Sequence, residues 1–326
     1  MSTVLSYKGI DDALGPRAQR FFGDRYRGVT QQLRIDAVDG AASMIAGRVE
    51  IGYPATWSVK NGKRMRPHVS TIDGVVVAEL MATALLRSCA DIGTGEIERA
   101  WLSSIRLAAG SAPQEDSTLV TASGRVVRIV DDGSVTRIGV AGQLGSMRMD
   151  FEVSIPELTA SSVRLFTANV VGEDLSGVHH VGAVVDLRDV VLDGDSDSAR
   201  ADLIRSQLDA QLPAGTLAAA YPSHHGDVEH VVTVAQAAQA SIYEADHVNR
   251  AESNTLWMRG YRARRPLPPA VWSSSSALTV TAVVDDRDRL VMDDAEWSIS
   301  DWTASCGDVT SGFEVAHRLP AQQVAS

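Results

Sequence analysis

The stretch HVSTIDGVVVAELMATALLRSCA, His68 to Ala90, decides the fold of this chain. Its three successive valines suggest a strand. The run then continues through Ala, Leu and Met without a proline, which favours a helix. Ser70 or Asp73 suits its start as a cap. The segment is apolar nearly all round, so it predicts a buried helix and not one lying on a surface. A second segment, HGDVEHVVTVAQAAQASIYEADHV, His225 to Val248, reads the same way, with Asp227 as a cap.

The two segments align with each other. Matching Glu79 to Gln236, an offset of 157, also pairs His68 with His225 and Asp73 with His230. A second match, DFEVSI at Asp150 to Ile155 with DAEWSI at Asp294 to Ile299, has an offset of 144. Two similar units in one chain explain both. The remaining sequence reads as strands, alternating or β-branched, separated by Asp-Gly and Gly-Ser signals. In the first half these are Gln32 to Val38, Ser43 to Ile51, Ala100 to Leu107, Leu119 to Val130, Val135 to Gln143 and Ser146 to Ile155. In the second they are Arg164 to Val171, Ala183 to Leu192, Thr255 to Ala263, Ala277 to Asp285 and Arg289 to Ile299.

One long buried helix with five or six antiparallel strands per unit predicts an α+β chain of the double hot-dog type. The expectation is two antiparallel sheets, each wrapped round one central helix. The units are residues 1–160, with a helix at about 70–90, and residues 161–326, with a helix at about 227–246. A length of 326 residues suits two such units.

Composition sets further bounds. Hydrophobic residues are 44% and charged residues 22%, ordinary globular usage. The net charge of −11 argues against a sequence-independent nucleic-acid binder. The longest apolar run, Val75 to Leu86, is far short of the ~20 residues of a membrane span and carries Glu79. The first residues carry no secretory signal pattern. Cys89 and Cys306 are the only cysteines, with no CxxC, so the expected location is cytoplasmic. Lys8, Lys60 and Lys63 are the only lysines among 30 basic residues.

GVVVAELMA, Gly74 to Ala82, resembles the central-helix pattern of hot-dog 3-hydroxyacyl dehydratases, which also carry a histidine upstream of the glycine, where this chain has His68. A closer resemblance lies in three segments: SYKGIDDALGPRAQRFFGDRYRGV (Ser6 to Val29), IGYPATWSVK (Ile51 to Lys60) and RPHVSTID (Arg66 to Asp73). Together they are similar to the avirulence protein D (AvrD) family. That resemblance implies biosynthesis of syringolide-type elicitors, small acylated-sugar lactones. The implied chemistry joins a 3-oxoacyl chain to a keto-sugar such as xylulose. Related A-factor-type hot-dog domains transfer an acyl chain to a dihydroxyacetone phosphate-like acceptor.

Candidate catalytic residues follow from residue type and position. Glu79, a carboxylate inside an apolar helix, is costly unless paired or functional, and burial suits it to acid/base work. His68, His225 and His230 lie at or near helix starts that border the tunnel of this architecture, and histidine transfers protons near neutral pH. Five of the eight histidines fall between His179 and His230, where a polar loop is the plainer reading. Candidate substrate-binding residues are Asp73, Trp57, Gln236, Arg259 and Arg262. Asp73 reads first as an N-cap residue, and Trp57 first as a core aromatic. Arg259 and Arg262 belong to the basic run MRGYRARR, suited to a phosphate or carboxylate. Gln236 stands where the first helix has Glu79, which predicts one working site. Cys89 reads as packed, not reactive.

The expected donor is a 3-oxoacyl carrier protein or acyl-CoA, and the expected acceptor a small polyhydroxylated molecule. No cofactor, metal, nucleic acid or membrane is expected. A homodimer is left open. An acyl-thioester dehydratase or thioesterase, or a non-catalytic acyl-chain or lactone binder, are the alternatives.

Overall fold

The computed structural model describes residues 4–55, 57–60, 63–115, 118–160, 163, 168–177, 184–205, 212–221, 223–250, 253–270, 272 and 276–320. His179 and His180 lie outside them. The first half runs β1 (Val4–Gly9), α1 (Ile10–Leu14), β2 (Thr30–Asp39), β3 (Met44–Gly52), the short β4 (Val59–Lys60) and β5 (Lys63–Arg64), α2 (Thr71–Arg87) and α3 (Thr94–Arg99). Then come β6 (Trp101–Ala108), β7 (Leu119–Asp131), β8 (Val135–Leu144) and β9 (Met147–Pro156). The second half runs β10 (Asp174–Ser176), β11 (Val185–Asp193), β12 (Ser198–Arg205) and α4 (Asp227–Ala245). It closes with β13 (Trp257–Arg264), β14 (Leu278–Met292), β15 (Ala295–Cys306) and β16 (Val309–Arg318).

Helix α2 forms where the apolar run predicts it. Ser70 caps it, with its Oγ accepting from the Asp73 N–H at 3.3 Å while Asp73 Oδ2 accepts from the Ser70 N–H at 2.7 Å. Arg87 in the last turn suits the negative end of the helix dipole. Every residue from Ile72 to Leu86 is buried, Glu79 included. Each buried Val, Leu, Ile or Met contributes about 1.5–3 kcal/mol of transfer free energy, which outweighs the valines' weak helix propensity. Helix α4 has half of this box: Glu229 Oε2 accepts from the Gly226 N–H at 3.0 Å, and Gly226 is the N-cap, not Asp227 as expected, because Asp227 is already the first helical residue.

Fourteen strands form one antiparallel sheet in the order β1-β11-β12-β14-β15-β16-β13-β6-β9-β8-β7-β3-β2-β10. The arrangement is of the hot-dog type, sheet-rich with few helices. The expectation of two separate sheets, each wrapped round one helix, is corrected: both halves share one sheet. The physical reason lies at β6 and β13. Each would otherwise be an open edge, and pairing them satisfies both rows of backbone groups. α2 packs on β2, β3, β6, β7, β9 and β10, α4 packs on β11, β12, β14 and β15, and the two helices touch.

Read outward from the junction, the two runs of strands match one for one. The helices start at Thr71 and Asp227, and β6 and β13 start at Trp101 and Trp257, 156 residues apart in both cases. Arg106 and Arg262 sit opposite each other across the junction, on the approximate dyad. DFEVSI therefore lies in β9, whose counterpart is β16, whereas DAEWSI leads into β15, the counterpart of β8. That expected match is a correction. The ends of the chain are exchanged: β1, which precedes β2, pairs with β11, and β10, which precedes β11, pairs with β2. A cut at 160/161 would leave each half missing an outer strand held by the other.

Two further strand expectations change. Arg164 to Val171 falls partly outside the described residues, and Ala168–Val170 is a short 3-10 turn. Arg289 to Ile299 spans the β14–β15 turn, where Asp293 and Asp294 take positive φ of 48° and 55°. Among the described residues no helix is long and apolar enough to cross a membrane.

Candidate functional site

The starts of α2 and α4 are equivalent places in the two halves, and they differ. At the α2 start lies a cavity of about 290 Å³. Its wall is mostly apolar and aromatic: Phe21, Phe22, Trp57, Trp257, Trp297 and Ile299 all face it. Ser70 and Thr71 bring the first turn of α2 to the cavity. The capping box takes the amides of Ser70 and Asp73, and those of Thr71 and Ile72, which have no intrahelical acceptor, give this end N–H donors and the positive end of a dipole.

His68 lines the cavity between two tryptophans, its ring 5.9 Å from Trp57 and 4.8 Å from Trp257. Burial pushes its pKa below the usual histidine value, against weaker upward pulls from the Arg66 carbonyl and Asp73, so the imidazole is neutral at pH 7. Trp57 is fully buried, packed 4.4 Å from Phe21 and edge-on to Tyr53 at 5.2 Å, so it is core and cavity wall together. Arg25 donates to the Trp57 carbonyl, which fixes this loop. Lys60 also faces the cavity and donates to Ser253 Oγ at 3.0 Å and to the Asn254 carbonyl. Burial and, after it, Arg250 lower the Lys60 pKa to about 7.

The α4 start is lined by buried side chains. Glu79 reaches it from the middle of α2 and hydrogen-bonds Asp227. Burial, then the Asp227 charge, raise the Glu79 pKa well above the usual glutamate value, and Arg265 opposes them. The protonated Glu79 carboxyl is the donor to Asp227. Arg265 closes the site: it donates to the His225 carbonyl at 2.6 Å, to Asp227 at 3.3 Å and to Asp308 at 3.2 Å. Trp272 packs edge-on to His225 at 5.9 Å. Glu79, His225, Glu229, His230, Arg265 and Trp272 are each less than a tenth exposed.

The register explains this asymmetry. The capping carboxylates Asp73 and Glu229 set the helix offset at 156, one less than the alignment that pairs Glu79 with Gln236. One residue is about 100° of helix rotation. Glu79 therefore corresponds to Ala235, His68 to His224 and Gly74 to His230. The backbone confirms it: the Ala109 N–H donates to the Arg259 carbonyl and the Arg265 N–H to the Ser103 carbonyl, both at 2.9 Å. Ala109 thus stands where the other half has Arg265. A methyl group leaves the first site open, and a guanidinium fills the second.

The sequence-predicted residues divide accordingly. His68, Trp57 and Arg259 line the cavity. Glu79 and His225 meet at the closed α4 start. His230 is fully buried and bonded through Nε2 to Ser311 Oγ at 3.0 Å, and burial lowers its pKa to about 3, so it is a neutral core residue. Asp73 caps α2 and accepts from Gln31 Nε2 at 2.7 Å. Gln236 accepts from Arg20 Nη1 at 2.6 Å, and Arg20 in turn pairs with Asp11. Arg262 lies exposed over Gly312 and is not part of the cavity wall. Cys89 is packed, its Sγ 3.4 Å from the Leu85 carbonyl, with burial raising its pKa to about 12. Sequence reading missed Lys60, Arg20 and Arg250 on the cavity wall. The scarcity of lysine was the available signal for Lys60.

Fold and site define a single-chain hot-dog protein with two related halves, a cavity at one helix start and a buried, Arg265-filled counterpart at the other. The chain belongs to the Pseudomonas avirulence D protein (AvrD) family, whose model matches residues 5–320. A comparison with curated proteins finds no match. Among solved structures, the chain is similar to the tesB protein of Mycobacterium avium subs paratuberculosis, with 11% identity over 88% of this chain and 96% of that one (TM-score 0.43). It is similar to the 12:0-ACP thioesterase from Umbellularia californica, with 10% identity over 93% and 99% (TM-score 0.39). It is also similar to the dehydratase domain of RzxB from Pseudomonas fluorescens, with 11% identity over 87% and 96% (TM-score 0.39).

Proposed function

We propose that this protein is a biosynthetic enzyme that transfers a 3-oxoacyl chain from a thioester to a small keto-sugar-like acceptor, giving a butenolide or lactone precursor, and that the reaction occurs in the cavity at the α2 start. One observation carries this reading. The three segments that carry the family resemblance are separate in sequence, yet all wall the same cavity: Arg20 to Phe22; Trp57, Ser58 and Lys60; and His68 to Thr71. The volume falls near the low end of small-molecule sites, roughly 300–1,000 Å³.

The chemistry follows from the wall. The acyl chain lies along Phe21, Phe22, Trp297 and Ile299. Neutral His68 takes the proton of an acceptor hydroxyl, and the oxygen attacks the thioester carbonyl. Amide N–H groups at the start of α2 hold the oxyanion. Collapse breaks the C–S bond, and the leaving thiolate takes the proton back from His68. The products are an ester and a free thiol, with no covalent enzyme intermediate. Glu79 sits in the hydrogen-bonded carboxyl pair at the α4 start and holds the two helices together there.

The dehydratase alternative needs a histidine and a carboxyl group acting on one substrate. Glu79 points to the other helix start from His68, and no Asp or Glu is among the described residues that line the cavity, which favours transfer. The test offers a 3-oxoacyl-CoA or 3-oxoacyl carrier protein with and without a keto-sugar such as xylulose. Acceptor-dependent release of thiol is the expected result. Equal release without acceptor makes the protein a thioesterase, and binding without turnover makes it a carrier of acyl chains.

A further inference from the structure

Positive charge gathers on the cavity wall. Arg20, Lys60, Arg250 and Arg259 all line it, in a chain whose net charge is −11. Three of them are neighbours. Arg250 lies near enough to Lys60 to push its pKa down and near enough to Arg20 to do the same. Among the described residues, Arg20 alone of these has an acidic partner, Asp11. Gln236 holds Arg20 from the other side. The contacts of Lys60 are neutral: Ser253 Oγ, the Asn254 carbonyl and, at 3.5 Å, the Tyr243 hydroxyl. Arg250 donates to the Gln19 carbonyl at 3.1 Å and has the Tyr243 hydroxyl and the Arg25 charge beside it, with no carboxylate among the described residues.

Two half-buried cations side by side without counter-charge are unfavourable in an empty protein. They cost little when a dianion arrives, and water-poor walls strengthen the contact. We infer that Lys60 and Arg250, supported by Arg20, form a subsite for a phosphoryl group carried by one of the two substrates. Two positive charges match a phosphate monoester dianion better than a single carboxylate. The guanidinium supplies paired donors and the ammonium a point charge. The subsite lies on the same cavity as the α2 start, so a phosphoryl group held there leaves the rest of its molecule facing His68. This inference rests on the proposed use of that cavity.

The phosphoryl group has two chemical sources: the phosphopantetheine or nucleotide portion of the acyl donor, or a phosphorylated three- to five-carbon ketose as acceptor. Quenching of tryptophan fluorescence reads the site directly, because Trp57, Trp257 and Trp297 line the cavity. The full-length protein is titrated with dihydroxyacetone phosphate against dihydroxyacetone, and with CoA against pantetheine. A 3-oxoacyl pantetheine, which carries no phosphate, reports on the apolar part. The expected result is binding about 10- to 100-fold tighter for the phosphorylated member of one pair, the range of a charge-assisted contact. Lys60→Met and Arg250→Gln each bring that ratio down about tenfold or more, while Arg48→Gln, exposed and paired with Asp36, leaves it unchanged. Which pair shows the preference identifies the source. A ratio near one in both pairs, with the acyl pantetheine bound, overturns the subsite and leaves the cavity reading intact. Failure of the acyl pantetheine as well removes the reading beneath it. Should Lys60→Met lower the melting temperature, Arg250→Gln carries the test, and an unchanged ratio in a folded Arg250→Gln protein overturns it.

Discussion

Replacing Glu79 by Gln changes the pH dependence of stability in a direction fixed by the buried pair. In the folded protein Glu79 keeps its proton well above the usual glutamate range, because it is buried beside Asp227. In the unfolded chain it titrates near 4.3, as any glutamate does. Between those two values the folded state holds a proton that the unfolded state lacks. Stability therefore falls as pH rises through that window, with a limiting slope of about 1.4 kcal/mol per pH unit. Two pH units of such titration amount to about 2.7 kcal/mol. The slope belongs to the Glu79–Asp227 pair and not to either residue alone. Glutamine has no proton to lose, and its amide N–H donates to Asp227 in place of the carboxyl proton. Urea unfolding of both proteins at pH 5, 6, 7 and 8 gives the difference curve, in which every other titrating group cancels. The expected result is near equality at pH 5 and a growing advantage for Glu79→Gln toward pH 8. A flat difference curve refutes the retained proton.

Three further outcomes follow from the same geometry. Because burial lowers the His68 pKa, the neutral base survives below the usual 6.5, and the acidic limb of kcat/KM falls below pH 6.5; a limb at or above 6.5 counts against His68 as the base. Arg265→Met removes the buried cation that faces the partly exposed Asp227 and Asp308 and should lower stability by about 1.5–3 kcal/mol in urea unfolding, the cost of losing charge-assisted hydrogen bonds. A loss below 1 kcal/mol would mean that Arg265 is a surface ion pair in effect. Ser70→Ala deletes the α2 cap and should cost about 1 kcal/mol, read as a shift in the same unfolding midpoint.

Both long helices were legible because their apolar runs exceed strand length and carry caps. Sheet pairing was legible only in part. β12 reads as SARADLIR, in which small Ala199 and Ala201 do the inward packing between Arg200 and Asp202, so its alternation is weak in hydrophobicity. β16, VTSGFEVAHR, carries Ser and Gly at its start and faces core with residues of both kinds. The exchange of β1 and β10 is a long-range pairing that local pattern does not encode. The site divided for a related reason. Residue type picked out His68, Trp57 and Glu79, but a one-residue error in repeat register is invisible when most helix positions are apolar. It turns the aligned position through about 100°, enough to match Glu79 with Gln236 where the structure matches it with Ala235. The closing of the second site by Arg265 against Ala109 depends on where two loop residues fall beyond β13 and β6, which no motif marks.

The central claim is that chemistry belongs to the cavity and not to the buried carboxyl pair. Acceptor-dependent thiol release from a 3-oxoacyl thioester, measured in parallel for His68→Ala and Glu79→Gln, tests it most directly. The account predicts a fall of about 100-fold or more for His68→Ala, the usual contribution of a general base, and activity within a few-fold of the parent for a folded Glu79→Gln. Activity retained in His68→Ala and abolished in a folded Glu79→Gln would contradict it.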